Sequence, residues 1–524
     1  MAFYHYYTFV ESEGEQLFTV VSLPDKEGAF PIVLARSPYV DHTFGMTHEE
    51  VCEQVAAANV GWNEAGYAVV NQHCRGRGHS SGDCIPYVHE REDGLALQEW
   101  VRNQPFYGGE LYLSGGSYCC TVHYVTAPFA SDIKGAVCEV MDTERYNCNY
   151  RNGFYKMGLH GGWYVDMYKK QRVLRGEMRK AFTPDSYKTL PLMSFSQTVF
   201  GEPAAYFDEI LMHPDRRDPF WETTRNGGND GRNALQGANI PILLTTGHYD
   251  IFTGGIYDMW RALDDETKAK SALLVHPYAH SGVKTDQPVE FPNGEITEQF
   301  GDVTRRWFDA IRGKEPYPVT QGQVTYYEMY GERWCTDAFE QPAESRTFSL
   351  GDGEYTYTYN PYAPAHFYGG LSANFGGTVW EGAPNSRQDI LSVYTDVFEE
   401  DTVIKGRMHA RLCVRSDCED TCFYVRLSLS KAEGDLGLRD DITAISNVAP
   451  AYRVGDEVML DFTFDDHAFV VKAGEKIRVD LSSSAYNLYV PHTNHRGHYA
   501  LQTTAKTAHN TIVLSKSTLT LPKG

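Results

Sequence analysis

A chain of 524 residues is too long for one ordinary hydrophobic core, and 42% hydrophobic with 22% charged residues is a globular rather than a disordered or fibrous composition. We therefore expect about two to four domains. The formal net charge of −22 argues against binding to nucleic acid, because that interaction needs a basic surface.

Neither an export signal nor a membrane span is predicted from the chain. Its N-terminal segment lacks a basic region followed by a long apolar region, and no run approaches about 18 apolar residues. The eleven cysteines are scattered and have no zinc-finger spacing. We expect a soluble cytoplasmic protein with free thiols, no membrane contact, and no metal or organic cofactor.

The first third of the chain alternates short apolar, β-branched runs with segments of helical period. Residues 46–66 and 90–105 have the helical pattern, the second with acidic residues in its first turn. Such alternation predicts right-handed crossovers and a mostly parallel sheet. The predicted strands are 30–38, 67–74, 110–117 and 134–140.

This alternation stops after residue 140 and resumes at 238. Residues 141–237 are rich in Tyr, Arg, Met and Asn, with apolar residues at helical intervals over 162–182. They predict a helical cap inserted into an α/β domain formed by residues 1–140 and 238–316. In the second part, strands are predicted at 240–247 and 271–277, before a helix at 295–314.

After Pro316 the pattern changes to many short alternating runs separated by turn residues. Regularly spaced strands of this kind are typical of an antiparallel sandwich. Residues 317–524 are therefore predicted to form a separate all-β domain.

Three polar residues, Ser117, Asp250 and His280, each follow a predicted strand of the α/β domain. Ligands of such sheets bind beyond the carboxyl ends of the strands, and the order Ser, Asp, His is that of the α/β-hydrolase triad. In such a triad an imidazole takes the proton of the serine hydroxyl, while a carboxylate orients the imidazole. We therefore expect a serine nucleophile, and two groups could stabilise the oxyanion: the Tyr118 amide and the hydroxyl of Tyr39.

Several motifs occur together in this chain: "SPY", "CRGRGHSSGD" followed by "EREDG", "GGSY", "HYDIF" and "HPYAHS". In these motifs it resembles the CocE/NonD family of serine hydrolases, which are cocaine-esterase-like enzymes related to X-Pro dipeptidyl peptidases. The resemblance covers nearly the whole chain and implies an α/β-hydrolase with a helical cap and a C-terminal jelly roll.

The resemblance also implies a role for individual residues. Ser117 falls on the family's nucleophile, Asp250 on its acid and His280 on its base. Tyr39 and the Tyr118 amide fall on its oxyanion hole. Phe252 falls where the family lines its acyl pocket, and Trp163 of the cap is expected to cover that pocket.

The chain departs from the family at several positions. Cys120 stands where the family has glycine, and "HPY" places His276, which we interpret as structural, near the site. α-Amino acid ester hydrolases bind the substrate ammonium with a carboxylate cluster, and here that position holds Asn147, Cys148 and Arg151. This departure disfavours substrates with a free α-amino group.

Esterase action on small substrates is the first hypothesis. X-Pro dipeptidyl peptidase or amide acylase activity with the same triad is the alternative, so the expected partner is a small ester, an amide or a short peptide. A binding protein with a vestigial site is a third hypothesis, disfavoured by the intact triad. We also expect a homodimer.

Overall fold

The computed structural model describes residues 3–142, 144–168, 180, 183–222, 235, 237–280, 289–367, 369, 377–384, 386–486 and 488–524. Within these residues the chain forms one large mixed sheet, a mainly helical insertion, and a C-terminal region of antiparallel strands. None of the described helices combines the length and the apolar character that crossing a bilayer requires.

In the described part of the chain before residue 340 the strands are β1 (Tyr4–Ser12), β2 (Glu15–Leu23), β3 (Phe30–Ser37), β4 (Ala68–His73), β5 (Tyr107–Gly116), β6 (Ile133–Glu139), β7 (Tyr150–Arg151), β8 (Phe154–Tyr155), β9 (Ile242–Gly247), β10 (Ala272–His276), β11 (Val324–Glu328) and β12 (Arg333–Asp337). The large sheet has the order β1-β2-β4-β3-β5-β6-β9-β10-β11-β12. From β4 to β11 all neighbours pair in parallel, whereas β1, β2 and β12 pair antiparallel at the two edges. β7 and β8 form a small hairpin in the insertion.

The helices lie between and beyond these strands: α1 (His48–Ala58), α2 (Val60–Glu64), α3 (Glu90–Arg102), α4 (Tyr118–Tyr124), α5 (Arg145–Asn149), α6 (Gly162–Met167), α7 (Phe195–Phe200), α8 (Ala205–Leu211), α9 (Thr253–Ala262), α10 (Asp265–Lys270), α11 (Ile296–Phe300), α12 (Val303–Ile311) and α13 (Ile445–Val448). On one face of the sheet, α3, α4 and α9 share a buried apolar cluster with the central strands. On the other face, Trp307 and Phe308 of α12 are fully buried. Both faces are covered, which explains why these strands are continuous apolar runs in the sequence.

The predicted mostly parallel α/β sheet is confirmed. One expectation is corrected: β11 and β12, which the sequence analysis placed in the β domain from residue 317, pair with the large sheet. An alternating strand pattern shows that a strand exists but not which sheet edge it joins, since pairing depends on tertiary contacts. The antiparallel hairpin β1–β2 was not predicted.

The insertion between β6 and β9 has its own aromatic core, which includes Tyr150, Phe195, Phe207 and Trp221. The helix predicted over 162–182 is helical at Gly162–Met167. Residues 169–179 and 181–182 of that prediction lie outside the described residues.

The C-terminal strands are β13 (Ser345–Ser349), β14 (Glu354–Tyr359), β15 (Trp380–Glu381), β16 (Leu391–Tyr394), β17 (Thr402–Gly406), β18 (His409–Ser416), β19 (Cys422–Ser430), β20 (Asp435–Ala444), β21 (Val458–Thr463), β22 (His467–Val471), β23 (Lys476–Ser482) and β24 (Ala508–Pro522). They form two five-stranded sheets and the pair β17–β22, all antiparallel. Side chains of both five-stranded sheets share one apolar core. The predicted C-terminal antiparallel β domain is confirmed.

Candidate active site

Ser117 lies in the sharp turn between β5 and α4. Its backbone has φ 56° and ψ −130°, a conformation that L residues rarely adopt and that functional turns retain despite its strain. Its amide donates to the Glu139 carbonyl at 2.9 Å. Gly115 permits this turn, because a Cβ there would lie 2.2 Å from the Cys119 carbonyl oxygen. The turn therefore presents the Ser117 side chain at the carboxyl edge of the sheet.

Asp250 lies three residues beyond the end of β9 and is fully buried. Thr246 Oγ1 donates to its Oδ2 at 2.8 Å, and the Phe252 amide donates to its Oδ1 at 3.2 Å. These two hydrogen bonds hold the carboxylate in one orientation, so a third hydrogen bond can reach it only from a defined direction.

That further donor is His280, four residues beyond β10. Its Nδ1–H donates to Asp250 Oδ1 at 2.9 Å, and its side chain is 28% exposed. Burial alone would lower the pKa of His280, but the charge of Asp250 and this hydrogen bond outweigh burial and raise it above the ordinary value. The second ring nitrogen, Nε2, is thereby left as the proton-accepting position of the neutral imidazole.

Tyr39 follows β3 and contacts the cap. Trp163 Nε1–H donates to its hydroxyl oxygen at 3.2 Å. Tyr39 is 39% exposed, yet desolvation of its hydroxyl raises the pKa of Tyr39 to about 12, although hydrogen bonding to Trp163 and Ser117 acts in the opposite direction. The Tyr39 hydroxyl therefore remains a protonated hydrogen-bond donor beside Ser117 at neutral pH.

The two groups of Tyr118 have separate surroundings. Its hydroxyl donates to Glu90 Oε1 at 2.7 Å and accepts from the Tyr87 amide at 2.8 Å, so its ring is fixed in the protein interior. Its amide is the first of α4, where backbone N–H groups have no acceptor within the helix. Of these two groups of Tyr118, the amide and not the hydroxyl is therefore the candidate donor to a ligand next to Ser117.

Aromatic rings surround the imidazole and the turn. Phe252 is buried, and its ring meets the His280 ring edge to face at 5.6 Å. Trp163 is half-buried and stacks on Tyr118 at 5.9 Å and on Tyr87 at 5.6 Å. The structure thus brings Phe252 next to His280, and Trp163 next to Tyr39.

Other residues considered in the sequence have structural contacts. His276 is buried, its Nδ1 accepts from the Tyr278 amide at 3.2 Å, and burial lowers its pKa to about 4. Cys120 is fully buried beside the Cys138 thiol, so a side chain larger than glycine is accommodated there. Arg151 pairs with Asp441 and Asp465 of the C-terminal region.

In the ionic network beneath the turn, the sequence predicts carboxylate partners for Arg75 or Arg77 but misses the contact of Arg36 with Glu90. Arg36 pairs with Glu90 at 2.9 Å, and Arg75 pairs with Asp93 at 2.5 Å. Because Glu90 also accepts from Tyr118, this network fixes the start of α4. The motif "EREDG" was a usable signal, but its spacing does not show which cations its carboxylates meet.

Within the ranges described above, no three His, Cys, Asp or Glu side chains group in a way that could hold a metal ion. All eleven cysteines are free thiols.

Comparison with known proteins places the chain in a family. The profile of the X-Pro dipeptidyl-peptidase (S15 family) matches residues 13–282, and that of the X-Pro dipeptidyl-peptidase C-terminal non-catalytic domain matches residues 297–519. Cocaine esterase from Rhodococcus sp. (strain MB1 Bresler) is 22% identical over 542 residues, which covers 93% of this chain and 91% of that protein.

Solved structures share the fold over the full chain. An α-amino acid ester hydrolase has a TM-score of 0.80 at 17% identity, covering 100% of this chain and 97% of that one. An aminopeptidase from a marine sediment Thaumarchaeota archaeon has 0.78 at 14%, with 100% and 96% covered. A CocE/NonD family hydrolase from Staphylococcus aureus has 0.66 at 15%, with 100% and 94% covered. The chain belongs to the X-Pro dipeptidyl-peptidase S15 family of hydrolases, as its resemblance to the CocE/NonD enzymes predicted.

Proposed function

We propose that this hydrolase cleaves carboxylic esters of small substrates through an acyl-enzyme on Ser117. The observation that carries the proposal is the hydrogen bond of His280 to the buried Asp250, formed by residues that follow two adjacent parallel strands. The strained turn of Ser117 ends another strand at the same edge of this sheet. A hydroxyl, an imidazole and a carboxylate in this order form the minimal set for nucleophilic acyl transfer.

In the first half of the reaction, Ser117 Oγ bonds to the ester carbonyl carbon while His280 Nε2 takes the hydroxyl proton. The tetrahedral intermediate then expels the alcohol, which receives that proton from His280. In the second half, water attacks the acyl-enzyme, His280 takes a proton from it, and Ser117 leaves with the proton returned. Asp250 stays ionised throughout and stabilises the imidazolium of both steps.

The oxyanion of each intermediate has two donors in this proposal, the Tyr39 hydroxyl and the Tyr118 amide. Both are positioned before substrate binds, Tyr39 by Trp163 and the Tyr118 amide by the start of α4. Donors fixed in advance stabilise the developing negative charge without reorganisation, which makes them a large catalytic contribution.

X-Pro dipeptidyl peptidase or amide acylase activity is the second candidate, favoured by the S15 family match. A dipeptidyl peptidase must bind the substrate ammonium, normally with a free carboxylate. The two acidic residues at the start of the cap are engaged: Glu144 pairs with Arg216, and Asp142 accepts from the Glu144 amide at 2.8 Å. This arrangement favours the ester substrate.

A substrate panel tests the choice between the two candidates. For each substrate, kcat/KM is divided by the rate constant of its uncatalysed hydrolysis. We expect this rate enhancement to be clearly larger for p-nitrophenyl acetate and butyrate than for Ala-Pro-p-nitroanilide. An anilide turned over with the larger rate enhancement would assign the protein to the peptidases. Failure of a fluorophosphonate probe to label the wild-type protein would instead favour the vestigial site.

The pH profile gives a second prediction. His280 must be neutral to accept a proton, and its pKa lies above the ordinary 6.5 because the nearby Asp250 outweighs burial. Activity should therefore fall as pH drops through this raised pKa, and the acid limb of kcat/KM should have its midpoint above pH 6.5. Circular dichroism at each pH checks that the fold is intact. A midpoint below pH 6.5 would contradict the pairing of His280 with Asp250.

Removing the Tyr39 hydroxyl gives a third prediction. Tyr39→Phe should lower kcat toward p-nitrophenyl butyrate by roughly 10- to 1,000-fold, because the Tyr118 amide remains as the second donor. Tyr7→Phe is the matched control, since the Tyr7 hydroxyl bonds the surface residue Glu49 at 2.9 Å. An unchanged kcat in Tyr39→Phe would remove this tyrosine from the oxyanion hole.

A further inference from the structure

The segment that carries Asp250 is held on both sides by the C-terminal region. Tyr249, the residue before Asp250, is fully buried, and its hydroxyl donates to the Gly437 carbonyl of β20 at 2.7 Å. Arg261, in the helix α9 that follows, pairs with Asp466 at 2.6 Å. These partners lie 188 and 205 residues further along the chain. The position of the candidate acid therefore depends on a region outside the α/β domain.

A pair of fully buried imidazoles forms a further contact of this kind. His248, two residues before Asp250, and His467, the first residue of β22, have their Nδ1 atoms 3.1 Å apart. On its other side, His248 Nε2 lies 2.8 Å from the Tyr327 carbonyl of β11. His248 thus connects the large sheet with the C-terminal region.

The direction of the hydrogen bond between the two imidazoles follows from their partners. A carbonyl oxygen only accepts, so His248 Nε2 carries the proton and His248 Nδ1 is an acceptor. His467 Nδ1–H is then the donor of the pair. Burial and the nearby guanidinium of Arg439 hold the pKa of both imidazoles well below the ordinary value. Both rings therefore stay neutral at neutral pH, and the bond keeps this one direction.

A histidine at position 467 has an unfavourable side as well. Its second ring nitrogen, Nε2, is buried and has no hydrogen-bond partner among the residues that the structure describes. A buried polar atom left unsatisfied opposes folding, and an apolar side chain of similar size would avoid this penalty. What an apolar side chain could not supply is the hydrogen bond from Nδ1 to His248.

The loop that precedes His467 is fixed by its own contacts. Arg439 is buried and donates to the two backbone carbonyls directly before His467. The carboxylate of Asp465 in this loop packs against the first turn of α9, where a Cβ at Gly254 would lie 2.5 Å from its Oδ1. The same loop therefore supports the imidazole pair and the helix that follows the candidate acid.

A displacement of His248 would reach the triad directly. The His248 amide donates to the His276 carbonyl at 2.8 Å, and two residues later Asp250 Oδ1 accepts from His280 at 2.9 Å. A carboxylate orients an imidazole only while this short contact is kept. In a positioned site, a misplacement of about 1 Å can lower the rate by roughly 100-fold.

We propose that His467 is a positioning residue of the triad: through His248 it fixes the segment that carries Asp250, so that the carboxylate meets His280 in the productive orientation. The proposal rests on the proposed function of Ser117. It gives the C-terminal region a part in the reaction, although the family profile that matches this region is that of a non-catalytic domain.

Replacing His467 with leucine tests the proposal. We expect His467→Leu to lower kcat for p-nitrophenyl butyrate by about 10- to 100-fold, with KM within about twofold of wild type. The rate of fluorophosphonate labelling should fall by a similar factor, and it reports on Ser117 without any choice of substrate. All rates refer to the folded fraction, measured by near-UV circular dichroism.

The pH profile of the same variant separates positioning from stability. The acid limb of kcat/KM should move to lower pH in His467→Leu, because a carboxylate held less closely raises the pKa of His280 less. Asp250 and His276 are the ionisable groups that interact with His280 in the described part of the chain. Burial lowers the pKa of His276 to about 4 and keeps it neutral, so the shift reports on Asp250.

Two further variants provide the rescue and the control. His467→Asn places an amide N–H close to the position of Nδ1–H, and it should restore most of the wild-type kcat and the wild-type acid limb. His492→Leu controls for lost stability, because His492 is also buried in the C-terminal region but has Asn494, Asp420 and Phe154 as neighbours. We expect a lower melting temperature for this variant with kcat and the acid limb unchanged.

The outcomes separate this proposal from that of the triad. A wild-type protein that fluorophosphonate does not label overturns both. Normal labelling of wild type, with kcat and the acid limb unchanged in folded His467→Leu, overturns the role of His467 and leaves the triad standing. An equal loss of kcat in His467→Leu and His492→Leu has the same meaning.

A second pair of variants decides if His467→Leu does not fold. Glutamine has the same amide group as asparagine but cannot place its N–H at the Nδ1 position. A kcat at least about fivefold lower in His467→Gln than in His467→Asn supports the proposal, and a smaller difference overturns it.

Discussion

Replacing Ser117 with alanine is expected to lower kcat/KM for p-nitrophenyl butyrate by about 10⁴- to 10⁶-fold. The variant lacks the Ser117 hydroxyl that we propose as the nucleophile, so no acyl-enzyme can form. The remaining oxyanion donors would still give a residual rate above that of uncatalysed ester hydrolysis in water. Steady-state kinetics measure the loss, and fluorophosphonate labelling checks the same residue directly.

Ser114→Ala is the matched control for this substitution. Ser114 lies in β5 three residues before Ser117, and we expect its replacement to change kcat/KM only slightly. Both variants should keep the wild-type melting temperature within a few degrees, which separates lost chemistry from lost folding. Equal labelling of wild type and Ser117→Ala would exclude Ser117 as the nucleophile.

Replacing Asp250 with asparagine is expected to lower kcat by about 10⁴-fold at neutral pH. In wild type, Asp250 Oδ1 accepts from His280 Nδ1–H while Oδ2 accepts from Thr246. An asparagine lacks the negative charge that stabilises the His280 imidazolium in either orientation, and when its oxygen stays with Thr246 its NH₂ group faces Nδ1 and the Phe252 hydrogen bond is lost. That contact favours the tautomer with the proton on Nε2, which cannot accept the Ser117 proton.

Asp258→Asn is the control for Asp250→Asn. Asp258 lies in α9, the helix that follows Asp250, and its side chain is 53% exposed and pairs with Arg261 and Arg407. We expect less than a threefold change in kcat for this variant. Asp250→Asn with kcat within tenfold of wild type would show that the carboxylate does not orient the catalytic imidazole.

The composition of the candidate site was largely predictable from sequence. Ser117, Asp250 and His280 each follow an apolar run that predicts a buried strand, and parallel strands end at one common edge. The structure shows β9 and β10 as neighbours, with the predicted Asp250–His280 contact formed. Local pattern was sufficient because secondary structure and chain direction alone determine at which edge such residues lie.

Contacts between distant segments were not predictable in the same way. β11 and β12 have the alternating pattern of a sandwich strand, yet they extend the large sheet. The sequence shows carboxylates in "EREDG" but not that Glu90 meets Arg36 and Tyr118. In each case the partner is selected by three-dimensional proximity, and single-sequence patterns carry no information about it.

By itself, the sequence determined the order of the strands from β3 to β6 and of β9 and β10, the sharp turn at Gly115–Ser117 and the identity of the groups at the carboxyl edge of the sheet. Periodicity and backbone preference are local properties, so they can be recognised in the amino-acid sequence alone. Only the tertiary structure decided which charges are compensated: Arg151 has two carboxylates, whereas Arg145 has none among the residues that the structure describes and lies against Tyr87. Compensation of a buried charge depends on all chain segments that surround it, and that surrounding exists only in the folded protein.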